Sequence, residues 1–129
     1  MSEIELAQSV DDVRRMLQRC VDVAREENSA TGYFPLLYLW ETEDIAAAAD
    51  AGTFSSPDQL RSMIVAFSNR FFAAREHFRR DEPAPKAWSL AFRAARSSNL
   101  VVLHLLLAIN AHINVDLGAA AAETGVLGD

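Results

Sequence analysis

A single cysteine, Cys20, in 129 residues excludes an internal disulfide and fits a reducing compartment. Basic runs are missing too: none exceeds a pair such as Arg14-Arg15 or Arg79-Arg80, and the formal net charge is −6. An acidic chain with scattered arginines lacks the basic stripe of a nucleic-acid surface. The opening Met1-Ser2-Glu3-Ile4-Glu5 is acidic and has no positive region ahead of an apolar core, so no secretory signal is expected. The apolar run from Leu100 to Ile109 reads as too short to span a bilayer. These absences lead us to expect a soluble, cytoplasmic protein with no nucleic-acid or membrane partner.

No segment alternates apolar and polar residues, and β-branched residues are sparse, which argues against a sheet. Several chemical signatures are absent as well: a Gly-rich phosphate loop, a Cys-x-x-Cys pair, a Gly-x-Ser-x-Gly elbow and a His-Glu-x-x-His run.

What is present is greasy and helical. Half the residues are hydrophobic, enough for one packed core, and the length predicts one domain over residues 1–129. Ser9 and Asp12 predict a helix start, with Val13, Leu17, Cys20, Val21 and Ala24 at helical spacing up to about Glu27. Asn28 to Gly32 breaks it. A second helix is predicted from near Pro35 to Gly52, and a third from Ser56-Pro57-Asp58-Gln59. After the stiff Glu82-Pro83-Ala84-Pro85 joint comes a fourth, Lys86 to Arg96, with Trp88, Leu90, Ala91 and Phe92. Ser97-Ser98-Asn99 is expected to cap a fifth, Leu100 to Leu117, which the alanines after Gly118 are able to prolong. The expected fold class is all-α: about five helices in one bundle around a buried C-terminal helix.

That last helix carries the candidate site. It is apolar on nearly every side, which marks it as buried, yet it holds His104, Asn110, His112, Asn114 and Asp116. With His104 at zero on a wheel advancing about 100° per residue, His112 falls near 80° and Asp116 near 120°. His112 and Asp116 therefore form one ridge at i, i+4, and Asn110 and Asn114 a second ridge roughly opposite. His104 lies about 12 Å further back along the axis by helical rise.

A His and an Asp so placed suit a base and its orienter, one divalent ion, or a purely structural hydrogen bond. All three readings stay open. Arg70, next to Asn69 in a helix rich in phenylalanine, is the expected partner of Asp116, against a snorkelling surface role. Tyr33, Tyr38 and Trp40 are candidates for a pocket wall with a polar rim. His77 reads as a solvated helix-end residue, and Cys20 as a buried inert thiol.

Four motifs come in order: Gly32-Tyr33-Phe34-x-x-Leu37-Tyr38, Phe67-x-Asn69-Arg70-Phe71, Trp88-x-x-Ala91-Phe92, and Asn110-Ala111-His112-Ile113-Asn114-x-Asp116-Leu117-Gly118. Together they resemble a bacterial family catalogued as domain of unknown function 5995, over nearly the whole chain. The resemblance implies an all-helical protein and singles out Asn69, Arg70, Asn110, His112, Asn114 and Asp116 as a polar signature. It brings no substrate, cofactor or catalytic residue. It also implies further helices beyond the last motif, so the shortened end here adds to an expectation of self-association.

The leading expectation is a small enzyme or enzyme-like pocket for a largely apolar small molecule, a cyclase, isomerase or dehydratase without cofactor or metal. In it His112 and Asp116 are catalytic, and Asn69, Arg70, Asn110, Asn114, His104, Tyr33 and Tyr38 bind substrate. One rival is a metal-dependent hydrolase. The other is a non-catalytic helical binding or assembly protein, favoured where no cavity adjoins His112. A homo-oligomer is expected, because so apolar a helix leaves surface to cover.

Overall fold

The computed structural model describes residues 3–97 and 101–125. Helix α1 spans Val10–Glu26, and a short 3₁₀ turn, Ala30–Gly32, leads into α2, Tyr33–Asp50. Then come α3, Pro57–Arg79, and α4, Lys86–Ser97. The last rod is continuous but not uniform: α5, Val101–Ala111, a π turn, His112–Leu117, and α6, Gly118–Thr124. The chain is all-α, and no strand occurs among the described residues. The expected cap at Ser98 and Asn99, and the start at Leu100, lie outside the described residues.

Local chemistry explains the ends. The Ser9 hydroxyl accepts the Asp12 N–H at 3.1 Å, and the Asp12 carboxylate accepts the Gln8 N–H at 3.0 Å. Ser56 makes no such side-chain cap, so α3 starts on Pro57, whose fixed φ suits a first helical position. Asn28, Gly52 and Asp81 follow α1, α2 and α3 with φ of 51°, 78° and 57°. Each turns the chain left-handed so that the next residue's N–H reaches back to a last-turn carbonyl, Ala24, Ala48 and His77 respectively. At Gly32 the constraint is space: an added Cβ would stand 2.8 Å from the Ala24 side chain, so only glycine lets the 3₁₀ turn lie against α1.

The core lies where the helices converge. Val13, Leu17, Phe71, Trp88 and Ala91 are fully or almost fully buried, with Phe34, Phe72 and Phe92 packed among them. Phe34 meets Phe71 and Trp88 edge-on at 5.2 and 5.4 Å between ring centres, and Trp88 stacks on Phe92 at 5.2 Å. Each such side chain contributes about 1.5–3 kcal/mol by leaving water. Ala108 and Ala111 of the last rod belong to the same cluster, which joins the rod to the other helices.

The last rod departs from expectation in one respect. Its buried positions include 104, 108, 112, 116 and 120, four residues apart, with 111 and 121 beside them. In a regular α-helix each such step drifts about 40°, which would carry Asp116 and Ala120 away from the core. The π turn, with its wider i to i+5 closure, winds less per residue and takes back part of that drift. Asp116 is thereby buried at 2 % exposure while its neighbour Val115 stands at 39 %. The rod is also longer than the apolar run alone: from Leu103 to Thr124 it is 22 residues, long and apolar enough by length and composition to cross a membrane. A third of that window is buried in the bundle, including both polar members of the ridge.

Candidate functional site

His112 and Asp116 come together on the π turn. His112 Nδ1 lies 2.7 Å from Asp116 Oδ2, and the same oxygen accepts the Trp88 indole N–H at 2.9 Å. A carboxylate only accepts, so the His112 proton sits on Nδ1. Burial holds the imidazole below its ordinary pKa against the opposing pull of Asp116. At neutral pH the contact is therefore a hydrogen bond rather than an ion pair. The other nitrogen, Nε2, is buried with no partner.

Aromatic rings close the site. Phe67 lies flat on the His112 ring at 3.6 Å between centres, and Tyr38 meets it edge-on at 4.6 Å. Phe34 and Trp88 complete the box at 5.5 and 5.9 Å. The Ser68 hydroxyl donates to the Tyr38 oxygen at 3.1 Å, and burial pushes the Tyr38 phenol well above its ordinary pKa. Three surface grooves, of about 770, 740 and 390 Å³, flank the bundle. Neither His112 nor Asp116 lines any of them.

The remaining sequence-predicted residues disperse. Arg70 does not meet Asp116: it is exposed and reaches Glu123 at 3.4 Å, and the donor that Asp116 receives instead is Trp88. Asn69 clamps the N-terminal segment, its Oδ1 accepting the Ala7 N–H at 2.7 Å and its Nδ2 donating to the Ala7 carbonyl at 2.9 Å. Asn110 and Asn114 are exposed and bond each other at 2.7 Å. Tyr33 is half exposed on the rim of the second groove, away from His112, whereas Tyr38 belongs to the box. His104 is buried, but its Nδ1 meets the Ala91 carbonyl at 3.1 Å on the side of α4. His77 is partly buried and bonded to Glu82 at 2.8 Å rather than free in solvent. Among the described residues no three His, Cys, Asp or Glu side chains gather to hold a metal ion.

Sequence reasoning missed Trp88, Phe67 and Phe34 as surroundings of the ridge. One signal pointed to Trp88: a tryptophan on an apolar helix face carries an N–H that needs an acceptor once buried. The stacking of Phe67 had no such signal.

A family model described as "Family of unknown function (DUF5995)" matches residues 10–128. The chain belongs to that family. No curated protein and no solved structure matches it.

Proposed function

From a family that brings no activity to transfer, we propose a non-catalytic helical module that docks an apolar partner on the outer face of the α5–π–α6 rod. The observation that carries this reading is the two-sidedness of the rod. Leu103, Leu106, Ile109, Ile113, Val115 and Leu117 are between 36 % and 59 % exposed, while the ionisable side chains between Leu103 and Leu117, His104, His112 and Asp116, all face inward. Apolar surface gathered on one element in this way usually marks a contact. In this reading the Trp88–Asp116–His112 network is a brace that fixes the phase of the rod, under an aromatic lid and away from the three grooves described above.

A second reading keeps a specific observation in its favour. The His112 Nε2 lone pair is buried and unpartnered on a π turn, a feature frequent at functional sites. It would serve as a general base for a small apolar substrate if Tyr38 and Phe67 swung aside. Its weight is reduced by His104, whose Nε2 is equally buried and unpartnered with no comparable surroundings.

Two measurements separate the readings. The brace expects His112→Ala to lower stability by roughly 1–3 kcal/mol, the scale for an orphaned buried partner. It also expects titration with the dye ANS to light up the native protein, or the protein to self-associate, through the outer face. Leu106→Glu with Ile113→Glu should abolish either signal without lowering the melting temperature. A folded His112→Ala of unchanged stability that loses binding of an apolar ligand would overturn the brace in favour of catalysis.

A further inference from the structure

The outer face of the rod carries its own pattern. Leu106, Asn110, Asn114 and Gly118 recur every four residues, and the π turn that keeps Asp116 inward keeps this ridge in line on the outside. Among the described residues Leu106 is the most exposed aliphatic side chain of the rod at 59 %, and Leu103, Ile109, Ile113, Val115 and Leu117 flank the ridge. At its other end Gly118 is open: a Cβ added there meets nothing within 4 Å beyond its chain neighbours and its own helix backbone. In the middle, Asn114 Nδ2 donates to Asn110 Oδ1 at 2.7 Å. That bond leaves the Asn110 amide with donors to spare and the Asn114 carbonyl with acceptor capacity.

Resting on the docking reading above, we infer that the partner is a second copy of this chain, laid antiparallel across a two-fold axis between Asn110 and Asn114. In that register each Leu106 settles over the partner's open Gly118. Each Asn110 amide donates to the partner's Asn114 carbonyl, so both spare groups are used twice by symmetry. A polar pair inside an apolar seam is a known device for fixing register, since any slip buries it unpaired.

Charge weighs against two other occupants, a charged protein and a bilayer surface. The chain carries −6, yet between Arg96 and Glu123 its only ionisable residues are His104, His112 and Asp116, all buried. Two copies thus meet through neutral faces and keep their acidic remainder apart. A charged protein partner finds nothing on this face to read. A membrane surface is equally ill served: helices that lie on bilayers carry Lys or Arg beside the apolar face, and none follows Arg96 in this sequence.

The test is sedimentation of the full chain from 1 to 100 µM, with ANS titration and flotation on neutral phosphatidylcholine vesicles alongside. The expected result is a species of twice 14.2 kDa. Leu106→Glu should weaken association at least about tenfold, as truncating a central anchor does, and circular dichroism should be unchanged because that side chain is mostly exposed. Gly118→Leu fills the hollow and should weaken the dimer too, while the monomer's helix is unharmed or improved. Asn110→Cys mixed with Asn114→Cys should cross-link under oxidation faster than either variant alone. Faster self-linking of Asn110→Cys would mean parallel pairing and overturn the register. A dimer indifferent to all of these changes overturns the interface. A monomer at 100 µM overturns the second copy; if its outer face still binds ANS or vesicles, the docking reading survives, and if it binds neither, both fall.

Discussion

His104 and His112 lie eight residues apart on one rod and look alike at first. Both are buried, both carry the proton on Nδ1 and give it to an oxygen, and both leave Nε2 without a partner. Burial holds both below their ordinary pKa. The difference is the acceptor. His104 meets the neutral carbonyl of Ala91, inside α4, whereas His112 meets a buried carboxylate that Trp88 also needs. An unpartnered ring nitrogen is therefore common to both histidines and does not by itself set His112 apart. What sets the second region apart is the shared acid, and the π turn that brings it inward.

The sharpest way to break this comparison is to remove the acid. Asp116→Ala orphans two buried donors, the His112 Nδ1–H and the Trp88 Nε1–H. At about 1–3 kcal/mol each, the expected loss is roughly 2–6 kcal/mol in urea unfolding. Asp116→Asn keeps a carbonyl oxygen and should lose less. His104→Leu, which trades a ring for an apolar group and frees one carbonyl, should lose about 1 kcal/mol. Equal losses at the two sites would erase the distinction.

Acid acts on both histidines together. A folded pKa depressed below the unfolded value of about 6.5 means that the unfolded chain binds more protons. Their contribution is therefore fully present above pH 6.5 and is lost as pH falls from there toward the folded values. Melting temperature should be level from pH 8 to 7 as far as these groups decide it, then decline toward pH 5. His104→Leu and His112→Phe should each flatten part of the decline. A slope unchanged in both variants would place the titration elsewhere.

Asn69 offers a smaller effect of a different kind. Its two bonds to Ala7 tie the segment before α1 to α3 across 62 residues. Asn69→Ala should cost about 1–2 kcal/mol and raise amide exchange at Ala7, with the region around His112 unmoved. Loss of the His112 contacts in that variant would show that Asn69 belongs to the site after all.

How much of this was legible depended on how far each feature reaches along the chain. The start at Ser9 with Asp12 is written in adjacent residues, as is the stop at Asn28. The His112–Asp116 contact was legible because i, i+4 spacing on any helix puts the two side by side. The π turn was not: it arises because the core asks for positions 104, 112, 116 and 120 on one side, a demand set by α3 and α4. The donor to Asp116 was missed for the same reason. Trp88 lies 28 residues away and on another helix, so only the packing of α4 against the rod brings it in. Asn110 and Asn114 were rightly placed as a ridge of their own, but the wheel gave no sign that this ridge looks out to solvent.

The smallest expected effect tests the reassignment of Arg70. Sequence pairing of a buried carboxylate with an arginine set among phenylalanines is reasonable, because an ionised acid out of water needs a donor or a cation. Here two N–H donors fill that need, and Arg70 stands at about half exposure with Glu123, 3.4 Å away. Exposed pairs of this kind contribute about 0–1 kcal/mol, because solvent screens them and two long side chains must be held still. Arg70→Gln should thus change stability by less than about 0.5 kcal/mol and lose what little it contributes in high salt. The Trp88 and His112 ring signals should not shift. A loss on the scale of Asp116→Ala would mean that the guanidinium reaches the buried acid, and would restore the cation that the hydrogen-bond geometry makes unnecessary.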